Sequence, residues 1–311
     1  MPNLSVIILT KNEELHISRA IESVRAISSQ IYVIDSNSTD GTRDIARALG
    51  AKVMTNPFVN QAKQFQWALE NTGITDGWIL RLDADEIIEP DLALEILQKL
   101  ERLSADITGV NLARKHIFMG KWIRHGGRYP LLMLRIFRAG KGEIEDRWMD
   151  EHITITDGRT VTFEGGFSDH NLNGLSYFID KHNKYATREA IEVLNQRHNL
   201  LPQRAPLSAN NASVQASTKR QLKEHVFNKI PFVFSSTLYF IWRYIFQLGF
   251  MDGRAGACYH FLQGYWYRFL VGAKVMELEI EVSNLSDPSE IRKKLSELTG
   301  LQLEATERTL K

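Results

Sequence analysis

Ser5-Val-Ile-Ile-Leu-Thr10 is an apolar run closed by a polar residue, and the apolar positions after it, Ile17, Ala20, Ile21 and Val24, fall at i, i+3, i+4 and i+7. The first pattern reads as a strand and the second as a helix with one apolar stripe. The alternation then repeats. Residues 31–34 read as a strand ending at Asp35, and a helix carrying Ile45, Ala48 and Leu49 closes at Gly50, where a left-handed cap is expected. Residues 51–55 read as a third strand and 61–70 as a helix, and the strand 78–82 runs directly into Asp83-Ala84-Asp85-Glu86. Pro90 opens a further helix with Ala93, Ile96, Leu97 and Leu100 on one face. Such alternation predicts an α/β fold with a mainly parallel sheet flanked by helices.

Beyond about residue 103 the pattern changes. Residues 107–118 and 131–137 look like strands of a mixed or antiparallel portion. The segments 153–155 and 160–163, joined by Asp157-Gly158, read as a hairpin. A helix is expected over 175–194. Residues 199–217, rich in Asn, Ser, Ala, Gln and Pro, read as a loop or lid. Residues 232–250 are strongly aromatic. Their weakly polar positions Ser236, Arg243 and Gln247 recur near helical spacing and leave a wide apolar surface around them.

The chain of 311 residues is long enough for one large α/β domain with a helical appendage. Its 38 basic and 37 acidic residues give a net charge of +1, so no global field attracts nucleic acid, and a charged partner must meet a local patch. A single cysteine, Cys258, excludes an internal disulfide and a Cys/His metal cage, which points to a reducing, cytoplasmic setting. The N-terminus has no secretory pattern. No window offers the ~18 uncharged apolar residues of a spanning helix, and the nearest, 230–251, contains Arg243 and Gln247.

In a parallel α/β sheet, ligands bind at the carboxyl ends of strands. The polar residues gather there: Thr10-Lys-Asn-Glu13 after the first strand, Asp35-Ser-Asn-Ser-Thr-Asp-Gly-Thr42 after the second, and Asp83-Ala-Asp-Glu86 after the fourth. Asp35 is suited to a ribose or base, although its segment also has the composition of a turn and helix cap. Asp83 and Asp85, one residue apart, are suited to gripping a hard divalent cation, the alternative being a solvated loop that caps the next helix. The phosphate fingerprint G-x-G-x-x-G is absent after the first strand, which argues against a nicotinamide or flavin site. Further along, Trp148-Met-Asp-Glu-His152 sets Asp150 and Glu151 beside large apolar groups, where desolvation would raise a carboxylate toward general-base duty, unless they merely pair with Arg147 or Arg138. His170 is suited to ligating a metal or donating to a phosphate.

Taken together and in order, residues 5–13, 33–42 and 82–86 make the chain resemble the inverting family 2 glycosyltransferases of the GT-A fold. Within that family it looks most like bacterial enzymes that extend lipopolysaccharide core or other envelope glycans. The resemblance implies that Thr10, Asn12, Glu13, Asp35 and Asp83 hold the nucleotide, that Asp85 binds Mg²⁺ or Mn²⁺, and that His170 lies by the metal and diphosphate. It also places the base at Asp150-Glu151, with Glu151 preferred. The donor would be a nucleotide diphosphate sugar, UDP-linked for preference, and the acceptor a glycan or glycolipid.

On this reading, residues 1–103 are the donor-binding half, 104–198 the acceptor-binding and catalytic half, 199–218 a lid, and 219–311 a helical C-terminal region. The aromatic run from Phe232 to Tyr267, interrupted by Arg243 and Arg254, suits either core packing or a peripheral contact with the cytoplasmic face of the inner membrane. Three rivals stand beside it: transfer to a polyprenyl phosphate, a sugar-phosphate nucleotidyltransferase, and a non-catalytic nucleotide-sugar-binding protein. Thr10-Lys-Asn-Glu13 is not the Gly-rich basic loop that the nucleotidyltransferase needs.

Overall fold

The computed structural model describes residues 2–145, 152–200, 231–301 and 303. The expected α/β alternation is present: β1 Leu4–Thr10, α1 Ile17–Val24, β2 Gln30–Asp35, α2 Thr42–Ala48, β3 Lys52–Thr55, α3 Gln61–Asn71 and β4 Trp78–Asp83. After it come β5 Glu86–Ile88, α4 Pro90–Lys99, β6 Ile107–Phe118, β7 Lys121–Ile123, β8 Leu131–Arg138, β9 Gly142–Ile144, β10 Ile153–Ile155 and β11 Arg159–Asp169. The main sheet runs β3-β2-β1-β4-β8-β6-β11-β5, with β7 against β6. β1 to β4 pair in parallel, and β8 enters antiparallel between β4 and β6. β5 leaves β4 after two residues yet pairs with β11 at the far edge, so the sheet must curl back on itself. This is the mixed sheet of a GT-A fold.

Strand periodicity explains why both faces of β1 are buried. Val6 and Ile8 join one core with Ile17, Ile21, Trp78 and Leu80, whereas Ile7 and Leu9 join another with Ile34, Phe65, Ile79 and Phe137. The α1 stripe Ile17, Ala20, Ile21 and Val24 is wholly buried. Gly50 adopts φ +84°, the left-handed cap expected of it.

The hairpin expected at Asp157-Gly158 does not form. β10 pairs with β9 in a separate two-stranded sheet, and β11 runs parallel to β6. The Asp-Gly turn instead carries the chain from one sheet to the other. Gly158, at φ +89°, lies against Thr108, whose hydroxyl donates to the Asp157 carbonyl, and a Cβ at Gly158 would meet Thr108 Cγ2 at 2.5 Å. A turn signal fixes a reversal of direction but not the strand that pairs after it. Three short strands, β5, β7 and β9, carry too few residues to show a period.

In the C-terminal part, α5 Leu175–His198 packs through Ala186, Ala190 and Leu194 against Val275 and Leu278 of α8 Tyr267–Val282 and against Leu295 of α9 Pro288–Thr299. Before α8 come α6 Phe232–Ile241, a π-helical turn Trp242–Phe246, α7 Gly253–Tyr259 and a second π-helical turn His260–Trp266. Among the described residues no helix is long and apolar enough to cross a membrane. α6 and the π-helical turn that continues it are polar inside and apolar outside: Ser236 and Arg243 are buried, while Phe234, Leu238, Trp242 and Phe246 are 54–67 % exposed. The polar positions noted in the sequence therefore mark the inward face. The expected lid lies outside the described residues beyond Leu200.

Candidate active site

Register sets the rim. Thr10 lies opposite Asp35, and Leu9 opposite Asp83, so the first, second and fourth strands end side by side. The loop after β2 then ties itself to the loop after β1. The Asn12 N–H donates to Ser38 Oγ at 2.8 Å, and the Glu13 N–H donates to Thr42 Oγ1 at 2.8 Å. Asn12, at φ +55°, accepts the Thr39 N–H through Oδ1 at 2.8 Å. Asp35 is fully buried and accepts the Ser38 N–H at 2.9 Å and the Ser38 hydroxyl, while Asp40 accepts the Thr42 N–H at 3.1 Å. The turn-and-cap reading thus describes what these side chains do within the chain. Thr10 differs, since its Oγ1 is buried without a hydrogen-bond partner among the described residues.

The Asp83-Ala84-Asp85-Glu86 corner between β4 and β5 meets the end of β11. The Asp85 carbonyl accepts the His170 N–H at 3.0 Å, and Asp85 Oδ2 accepts from Asn171 Nδ2 at 2.9 Å. His170 therefore sits beside Asp85, joined to it through the backbone. Arg19 of α1 donates to the His170 carbonyl at 2.8 Å and lies 3.4 Å from Nδ1. A guanidinium has no acceptor, so Nδ1 is the accepting nitrogen and Nε2 carries the proton. Of the two roles open to His170, this tautomer suits donation to a phosphate better than metal ligation. His16 fixes the same corner: its Nε2 accepts the Leu172 N–H at 2.8 Å, and its Nδ1 lies 2.6 Å from Glu13.

The carboxylates here differ sharply. Burial opposes ionisation of Asp83, but Arg81 at 3.7 Å and Arg135 at 3.6 Å outweigh it and lower its pKa. For Asp169 burial is likewise outweighed, by His116 at 3.1 Å, Arg114 at 3.8 Å and Lys181, which hold it well below the usual carboxylate range. Asp85 goes the other way: burial, then the charge of Asp169, raise it against Lys181 and Asn171. Glu86, bonded to Arg135 at 2.6 Å, is pushed up to about 8, chiefly by burial.

A measurable slope follows for Glu86. Between its ordinary 4.5 and about 8 the folded chain holds a proton that the unfolded chain has released. The stabilisation is therefore full below the lower value and lost as pH rises through the upper one. Urea unfolding free energy should fall from about pH 5 to about pH 8, and Glu86→Gln should remove much of the fall, at most about 1.4 kcal/mol per pH unit.

Asp169, Asn171, Arg19, Arg81, Arg135 and Lys181 were not singled out from the sequence. Asp169 had a signal, since it directly precedes His170 at a strand end. Lys181 on α5 and Arg19 on α1 had none, because only the curl of the sheet brings those helices here. Asp150 and Glu151 lie outside the described residues. His152, which follows them, lines a small pocket with Arg81 and Arg135, the two arginines beside Asp83.

Residues 5–162 match the family model described as Glycosyl transferase family 2. The chain belongs to that family. An uncharacterized glycosyltransferase of Rickettsia typhi is 44% identical over 96 residues, 31% of this chain and 32% of its own length, and one of Rickettsia felis is 45% identical over 96 residues. The succinoglycan biosynthesis protein ExoA of Rhizobium meliloti is 27% identical over 171 residues, 44% of this chain and 52% of its own. The match thus spans about a third of the Rickettsia relatives. Among solved structures, glucosyl-3-phosphoglycerate synthase from Mycobacterium tuberculosis overlaps this glycosyltransferase with a TM-score of 0.30 and 24% identity, over 37% of this chain and 44% of the other.

Proposed function

We propose that this glycosyltransferase moves a sugar, with inversion, from a nucleotide diphosphate sugar to a glycan or glycolipid acceptor, UDP-sugars being the first choice of donor. The observation that carries the reading is the meeting of Asp85 with Asp169-His170-Asn171 on the rim that also bears Thr10 and Asp83. That rim brings together a hydroxyl, a lysine and a histidine N–H, which suit a diphosphate, and the carboxyls of Asp83 and Asp85, which suit a ribose hydroxyl and a divalent cation.

Mg²⁺ or Mn²⁺ fits this donor set, because Asp85 is half-buried beside other carboxylates and a cation answers that excess charge. Asp85 would hold it. Among the described residues no three His, Cys, Asp or Glu side chains converge on one point, so phosphate oxygens and water would complete the shell. When bound, the ion supplies Lewis-acid charge to the departing diphosphate. His170 would donate through Nε2 to a diphosphate oxygen, and Thr10 would contact the nucleotide. Asn12, Glu13 and Asp35 would keep the pocket rigid through the bonds described above. Glu151, or Asp150, would take the proton from the acceptor hydroxyl as it attacks the anomeric carbon.

Calorimetry against UDP, GDP and CMP, with Mn²⁺ or with chelator, tests the donor site. Metal-dependent binding of one nucleotide, lost in Asp85→Ala, is expected; no binding of any would end the reading.

The relative named for succinoglycan biosynthesis supports a role in envelope polysaccharide synthesis, lipopolysaccharide included. The outward apolar face of α6 supports a peripheral seat on the cytoplasmic face of a membrane. Removing three side chains worth about 1.5–3 kcal/mol each when buried should show in vesicle flotation: Phe234, Trp242 and Phe246 replaced together by Asp should lose at least about tenfold in vesicle affinity with UDP affinity unchanged. Retained flotation would place that face elsewhere.

A further inference from the structure

The segment His125-Gly126-Gly127-Arg128, between β7 and β8, is clamped to the C-terminal helices more firmly than a connection needs. The His125 N–H donates to Asp252 Oδ2 at 2.9 Å, and His125 Nδ1 lies 2.6 Å from Asp252 Oδ1. The Gly126 N–H donates to the Gln247 carbonyl at 2.8 Å, and the Gly126 carbonyl accepts from Arg243 Nε at 2.7 Å. Both glycines have φ +67°. A Cβ on Gly126 would come within 2.1 Å of the His260 ring, and one on Gly127 within 2.6 Å of the Gln247 amide, so this approach requires glycine twice.

The clamp delivers cations. Arg128 lies over the Tyr259 ring at 5.4 Å, and its Nε is buried without a hydrogen-bond partner among the described residues. Arg243 is 3 % exposed, and its Nη2 is likewise buried and unpartnered. Arg243 and Arg268 both lie over Tyr239, at 5.5 and 3.6 Å. Burial, with added repulsion from Arg243 and Arg114, lowers the pKa of Arg128; at Tyr239, Arg243 and Arg268, with Arg128, outweigh burial and bring the phenol down to about 8. Buried guanidiniums cannot shed their protons and are stable only beside an anion or a full set of acceptors.

The cluster also adjoins the candidate active site. Tyr259, under Arg128, lies tilted against His116 with ring centroids 4.8 Å apart, and His116 Nδ1 is 3.1 Å from Asp169. On the other side, α6 carries the outward apolar face.

We propose that Arg128 and Arg243 form a binding site for a phosphate group carried by the acceptor, separate from the site of the donor diphosphate. Arg128 would meet the phosphate through a charge-assisted hydrogen-bond pair, and Arg243 would add its free Nη2 while its Nε holds the glycine turn. The position of the cluster between the acidic rim and the apolar face would orient a phosphorylated acceptor with its hydroxyl toward the donor. This deepens the proposed transferase reading and rests on it for the word acceptor, though not for the phosphate site itself.

The test is calorimetry of the full chain with inorganic phosphate, with and without saturating UDP and Mn²⁺, for the wild type and Arg128→Gln. Arg128 has no hydrogen bond through Nε to lose, so the variant should fold normally. Phosphate should bind the wild type in both conditions and Arg128→Gln at least about tenfold more weakly, with the same UDP affinity in both proteins. Flotation on phosphatidylcholine vesicles with and without phosphatidic acid then separates the sources. Arg128-dependent gain from phosphatidic acid supports the site with a lipid phosphate as its ligand, and Arg128-dependent phosphate binding without such a gain supports it with a soluble phosphate ester. Equal phosphate affinity in the two proteins, no phosphate binding to the wild type, or displacement of phosphate by UDP would overturn the proposal. Failure of the wild type to bind any nucleotide would sink the donor-site reading and leave the phosphate result standing.

Discussion

Asp85→Asn should lower sugar transfer by about three orders of magnitude, the scale on which loss of charge stabilisation at a leaving group is felt, and should cost the fold almost nothing. The second half is the diagnostic one. Asp85 is half-buried near Asp169 and Asp83, and its pKa is raised, so ionising it works against stability. The amide would remove that repulsion, although it must still meet Asn171, whose Nδ2 now donates to Asp85 Oδ2 at 2.9 Å. Urea unfolding should therefore move by no more than about 1 kcal/mol and in either direction, while nucleotide release under turnover conditions collapses. A variant that unfolds several kcal/mol more easily yet still turns over would make Asp85 a structural residue.

The largest stability effect should come from the neighbouring pair. Glu86 and Arg135 are 2 and 3 % exposed and bonded at 2.6 Å. Glu86→Leu strips a buried guanidinium of its nearest carboxylate and also removes the acceptor of the Asp83 N–H at 2.9 Å. Breaking one side of such a pair costs about 3–5 kcal/mol. Arg135→Met should cost less, because Glu86 can take up a proton whereas Arg135 cannot release one. Urea denaturation of the two single variants and the double variant would show the asymmetry, and equal losses would argue against a neutralised Glu86.

Much of the fold was legible because local periodicity and burial coincide. The α1 stripe at Ile17, Ala20, Ile21 and Val24 and the apolar run of β1 each have one plausible burial pattern, and both adopt it. The rim followed from strand ends alone. Pairing beyond residue 103 was not legible, since 153–155 and 160–163 satisfy their hydrogen bonds equally well with each other or with β9 and β6, and only the curl of the sheet decides. The same limit applied to the site. Asp83, Asp85 and His170 stand at strand ends, whereas Arg19, Arg114 and Lys181 reach it from elements whose sequence position says nothing of Asp85. The aromatic segment was ambiguous for another reason: Ser236 and Arg243 show that a stripe exists but not which side faces in.

The strand order also limits how this chain can be cut and rejoined. β4, which carries Asp83, is bordered by β1 on one side and by β8 on the other, and β5 is held by β11. A fragment ending near residue 103 would expose the edge of β4 with Ile79 and Leu80 beside it and leave β5 unpaired, an invitation to aggregate. A chimera meant to exchange acceptor preference should therefore keep all strands through Asp169 from one parent and place its seam at Leu172 to Gly174, ahead of α5, where no ladder is crossed.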